Sequence, residues 1–126
     1  MKKHLLFLLF IIFSECTESN LAFHPGTNTS DGILKLVKNF GGSKNDVAKS
    51  VVSTLDGGFA VLGYTQSIDG DITDKATEDY DFWMLKFDSE AQLEWNKTYG
   101  GSGDDRGSSI IETSDGGYAL LGYSDS

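Results

Sequence analysis

An ungapped internal recurrence constrains this chain more than any other feature. Gly41-Gly42-Ser43 returns as Gly100-Gly101-Ser102, 59 residues later. The same offset carries Asp46 to Asp105, Ser50 to Ser109 and Thr54 to Thr113. It carries Asp56-Gly57-Gly58 to Asp115-Gly116-Gly117 and Leu62-Gly63-Tyr64 to Leu121-Gly122-Tyr123. Across the 27 positions from Gly41 to Ser67 there are 14 identities. Chance does not produce this without gaps. A period of this length marks a supersecondary unit that buries its apolar face against a neighbouring copy.

The unit reads as strands. Ser50-Val51-Val52-Ser53-Thr54 is short and β-branched, and Asp56-Gly57-Gly58 follows as a turn. Phe59-Ala60-Val61-Leu62-Gly63-Tyr64 returns, so the two runs predict a tight antiparallel hairpin. A third strand is expected from Asp81 to Asp88, apolar enough to be largely buried. A fourth runs from Leu93 to Tyr99, alternating apolar and polar, with Leu34 to Phe40 as its counterpart upstream. No segment shows sustained helical periodicity. Four short strands per unit make an all-β chain of propeller-type antiparallel blades. The first unit spans residues 32–90. The second spans 91–126 and stops before its own third strand, so it is partial. A ring needs about 4–8 blades, so the chain is expected to be part of a larger propeller, completed by further blades or by other copies.

The segment Trp95-Asn96-Lys97-Thr98-Tyr99-Gly100-Gly101-Ser102, then Asp105, then Thr113-Ser114-Asp115-Gly116-Gly117-Tyr118, then Gly122-Tyr123 resembles a bacterial β-propeller repeat. Asp81-Phe82-Trp83-Met84-Leu85-Lys86-Phe87-Asp88 resembles the Asp-x-Trp-x-x-Lys-x-Asp strand of the same repeat. Glu90-Ala91 stands where a turn glycine is usual. The resemblance covers residues 32–126 and implies an exported, often surface-located protein. Some members of that family are labelled as glycan hydrolases, but the repeat itself implies no catalytic residues and no uniform activity.

The N-terminus supports export. Lys2 and Lys3 precede an unbroken apolar run from Leu5 to Phe13. That run is too short to span a bilayer as a helix, which takes about 20 residues. A charged start before a short apolar stretch is the layout of a secretory signal, here residues 1–16. Cys16 follows the run as the lipidated cysteine of a bacterial lipoprotein signal would, although Glu15 stands where a small residue is expected. An ordinary signal-peptidase cut nearby is the alternative. Residues 17–31 are polar, hold the sole proline, Pro25, and read as a tether.

Charge and residue types exclude several functions. Ten Lys and Arg face 19 Asp and Glu, a net charge of −9. This argues against nucleic acid as a partner. It also argues against adsorption to anionic lipid, so any membrane attachment is expected only through a lipid on Cys16. One cysteine excludes a disulfide framework and a thiolate zinc site. His4 lies in the signal and His24 in the tether, so the repeated body has no histidine base. No catalytic residue is assigned.

Asp56 and Asp115 are expected to bind backbone amides in their turns, and Asp46 and Asp105 to do similar structural work. Gly57, Gly58, Gly116 and Gly117 are expected to take left-handed turn conformations. Trp83, Trp95, Tyr64, Tyr99 and Tyr123 are expected in the core, with a sugar-stacking platform as the rival reading. Residues 69–81 are the one chemically pointed stretch. Asp69, Asp71, Asp74, Asp79 and Asp81 are candidate Ca²⁺ ligands, opposed only by Lys75. The EF-hand pattern fails at Thr73 and Tyr80, and the other reading is a solvated acidic loop. The function these readings favour is a non-enzymatic scaffold at the bacterial surface or envelope, presenting loops to a protein or glycan. The alternatives are part of a secreted glycan-active enzyme, and a calcium-stabilised adhesion module.

Overall fold

In the computed structural model, residues 5–8 and 37–125 are described, and residues 5–8 and 37 by backbone alone. Cys16, both histidines, the tether and residues 32–36 lie outside the described residues. The described chain is all-β, with eight strands and no helix. The strands are β1 (Leu5–Leu8), β2 (Val37–Phe40), β3 (Asp46–Ser53), β4 (Phe59–Thr65), β5 (Asp81–Phe87), β6 (Leu93–Tyr99), β7 (Asp105–Glu112) and β8 (Tyr118–Ser124). They form three antiparallel sheets: β1-β2, β3-β4-β5-β6 and β7-β8.

The elements match the sequence pattern closely. β6 has the expected bounds, and β3 begins four residues before the expected Ser50. The β3–β4 register runs from Asp46↔Thr65 to Ser53↔Phe59, with a bulge between Ala48 and Ser50. The β7–β8 register runs from Asp105↔Ser124 to Glu112↔Tyr118, with its bulge between Gly107 and Ser109. Each pair in the second hairpin is the corresponding pair of the first, displaced by the 59-residue offset.

The two middle strands of the four-stranded sheet, β4 and β5, are dry on both faces. Because side chains alternate along a strand, Val61, Trp83, Leu85 and Phe87 point one way and pack with Phe40 of β2 and with Ile72. Ala60, Leu62 and Met84 point the other way and pack against Ile110 of β7. This explains the nearly continuous apolar run of β5. A strand covered on both sides has no polar face to show. Phe59 and Phe87, opposite each other across β4 and β5, stack at 4.7 Å, and Phe40 meets Phe87 edge-on at 5.2 Å.

Turn chemistry differs from expectation in two details. Gly57 and Gly116 are left-handed, at φ 85° and 81°, while Gly58 and Gly117 are not. Gly58 is needed for space instead: a Cβ there would lie 2.1 Å from the Phe87 carbonyl oxygen. In the β5–β6 turn, Ala91 itself adopts φ 61°, taking the conformation that a glycine usually supplies.

Candidate functional site

The loop between β4 and β5 gathers the chemistry at one end of the sheet. The acidic residues of this loop cap backbone amides and pair with neighbouring side chains. Asp69 accepts from the Ser43 amide at 2.7 Å and Asp71 from the Gly41 amide at 2.8 Å. Asp74 accepts from both the amide and the hydroxyl of Thr98, at 3.0 and 2.9 Å. It thereby occupies a backbone donor of β6, the last strand of its sheet. Asp79 accepts from Lys75 and from Thr77, both at 2.6 Å. These bonds hold the Asp69 and Asp79 carboxyls below their ordinary value: for Asp69 chiefly the Ser43 amide, for Asp79 chiefly the Lys75 ammonium.

Most of this loop is exposed, but two of its side chains are buried. Ile72 is 2% exposed and belongs to the core, and the Lys75 side chain is 1% exposed. Lys75 lies 3.3 Å from Oδ1 of Asp81, outside hydrogen-bond geometry. Burial pushes the Asp81 carboxyl up, opposed by Lys75 and reinforced by Asp79 and Asp105. The five candidate calcium ligands thus face different amides, hydroxyls and the Lys75 ammonium. Among the described residues, no group of three or more His, Cys, Asp or Glu side chains is placed to hold a metal ion.

A buried aspartate anchors the start of each hairpin. Asp46 is 7% exposed. It accepts from the Gly42 amide at 2.8 Å, from the Ser67 hydroxyl at 3.1 Å and from the Thr65 hydroxyl. Asp105 accepts from the Gly101 amide at 2.8 Å, as its offset counterpart. The loop and the second hairpin meet at Tyr80. Its carbonyl accepts from the Asp105 amide at 2.5 Å, and the Arg106 guanidinium lies 4.2 Å from its ring centroid.

The opposite end of the sheet carries a second node. Asp56 Oδ1 accepts from Thr54 Oγ1 at 2.5 Å and from the Gly58 amide at 3.0 Å, as its turn position predicts. Asp115 repeats this with Thr113 and Gly117. Asp56 Oδ2 also receives the Lys86 ammonium at 2.7 Å, which Glu94 shares at 2.8 Å. The bond from Lys86, then those from Thr54 and Gly58, hold the Asp56 carboxyl far below its ordinary range. Burial works against the charge on Lys86, but the two carboxylates outweigh it and raise its pKa.

The aromatic residues divide. Trp83 is 1% exposed and belongs to the core, its indole N–H donating to Asn96 Oδ1 at 3.0 Å. Tyr64 is half-buried. Trp95, Tyr99 and Tyr123 are exposed, so the expectation of core is corrected for these three. On β6 the alternation that would bury one face instead presents Trp95, Lys97 and Tyr99 on one side of the outermost strand. Trp95 meets Tyr118 edge-on at 6.3 Å. The strip offers ring faces with a cation between them, a surface suited to apolar or sugar-ring contacts.

Sequence reasoning missed Ile72 and the depth of Lys75. The available signal was that Lys75 is the sole cation among six acidic residues between Asp69 and Asp81. No helix among the described residues is long and apolar enough to cross a membrane. No family model and no curated protein matches the chain.

Proposed function

We propose that the chain is a propeller-type repeat scaffold, exported by its N-terminal leader and acting without catalysis at the bacterial surface or envelope. It presents loop ends and the aromatic edge of β6 to a protein or glycan. In this reading β3-β4-β5-β6 is one blade and β7-β8 is the first half of the next. Cys16, in the lipoprotein form of the leader, is the lipid anchor. The observation that carries the reading is the pair-for-pair match of the two hairpins, bulge included. It is strengthened by the stacking of the second hairpin on the sheet of the first through Ile110, Leu62 and Met84. Three loop carboxylates, those of Asp69, Asp71 and Asp74, support scaffolding, since they fix backbone amides in place.

Native electrophoresis of the full chain through gels that each contain one polysaccharide tests this. Retardation by at least one polysaccharide, without release of reducing ends, is the expected result. The W95A/Y99A variant should lose it at unchanged melting temperature. Release of reducing ends overturns the non-enzymatic reading. Retardation that survives W95A/Y99A takes the binding surface away from β6. Absence of retardation in every gel removes the glycan and leaves a protein partner.

A further inference from the structure

Strand β1 occupies a position that the rest of the molecule defines. β2 pairs with β1 as Leu5↔Phe40, Leu6↔Asn39, Phe7↔Lys38 and Leu8↔Val37. The offset carries those β2 residues to Tyr99, Thr98, Lys97 and Asn96 of β6. In β6 the same four positions pair with Phe82, Trp83, Met84 and Leu85 of β5. Equivalent positions of β2 and β6 are therefore paired in both places, and Leu5–Leu8 lies along β2 as the third strand lies along β6. The tertiary neighbours agree: β1 touches β3, as β5 touches β7.

We propose that the inner edge of β2 is an acceptor site for the third strand of a propeller-type unit, and that Leu5–Leu8 is its built-in occupant until the leader is removed. The partner is an extended strand with the Asp-aromatic-Trp-apolar-apolar-Lys-aromatic pattern of β5. One physical demand explains why an export leader fits. A third strand is covered on both faces and is apolar over the stretch that pairs, as β5 is from Phe82 to Leu85. The apolar stretch of a leader meets the same demand for a different reason. An uncovered edge carrying free N–H and C=O groups invites wrong pairing. With Leu5–Leu8 in place the precursor keeps that edge closed. With residues 1–16 gone, the edge opens to the strand it was built for.

The inference rests on the blade and leader readings proposed above, and hydrogen exchange separates their failures. In the full chain, amides of residues 37–40 should be protected like those of residues 93–99. In a chain of residues 17–126, protection at 37–40 should fall by about ten-fold or more while that at 93–99 is unchanged, because an uncovered edge opens locally. A synthetic peptide of residues 81–88 should restore it, and a scrambled peptide should not. Equal exchange at 37–40 in the two chains overturns the proposal and leaves the scaffold reading intact. A loss that the peptide does not restore, or that the scrambled peptide restores equally, overturns the acceptor site. Should the shortened chain lose protection at 93–99 as well, L6P/L8P in the full chain carries the same comparison. A proline there removes a strand donor without removing the leader.

Discussion

At the scale of single residues, glycine serves two separate needs. At Gly116 the backbone is left-handed, at φ 81°, and an added Cβ would touch nothing within 4 Å. At Gly63 the backbone is ordinary, but an added Cβ would lie 1.8 Å from the Val47 carbonyl oxygen. Gly116→Ala should therefore cost about 1–2 kcal/mol, the penalty for a left-handed L-residue. Gly63→Ala should cost about 3 kcal/mol or more, since the β3–β4 hairpin must separate to admit the methyl. Urea denaturation of both variants checks the order, and an equal cost would contradict it. The sequence shows both glycines recurring but not which need each serves. Dihedral demand is local, and turn composition reveals it at Asp56-Gly57-Gly58. Close approach depends on which strand lies alongside, which the local pattern does not carry.

Among elements, Lys86 joins the hairpin turn of β3–β4 to strand β6. Its side chain is 5% exposed, while those of Asp56 and Glu94 are 56% and 42% exposed. The asymmetry decides which partner is safer to lose. In K86M, two carboxylates near water are left to be solvated by it. In D56N/E94Q, an ammonium stays buried with only neutral partners, the costlier arrangement. The melting temperature should fall further in D56N/E94Q than in K86M, and the reverse order would show that Lys86 is hydrated in solution. Strands of this kind are legible beforehand. The bounds of β6 follow from its alternation, and the apolar run of β5 announces a strand covered on both faces. The loop after β4 is less legible. Ile72 is one apolar residue among polar neighbours, with no periodicity, and its burial comes from tying Asp69 and Asp71 to the Gly41–Ser43 turn 26 to 30 residues away.

For the whole molecule, carboxylates serve as ties between segments. Asp71 holds the loop to the chain leaving β2, Asp74 holds it to β6, and Asp46 and Asp105 start the two hairpins. Thermal unfolding of the full chain should be the same in millimolar Ca²⁺ and in chelator, and a rise in melting temperature with Ca²⁺ would favour the calcium reading. The paired bulges carry a further consequence. Before its bulge β3 presents even-numbered residues, Asp46 and Ala48, on the face that odd-numbered Val51 and Ser53 occupy after it. The one-residue slip places Asp46 beside Thr65 while leaving Val52 against the opposite core. Each hairpin is thus an arithmetic of parity. A single codon gained or lost between the aspartate and its turn would transpose inside and outside, whereas two would restore them. The bulge is the place where one odd residue is absorbed, so the count of residues, and not only their kind, fixes which side each one faces.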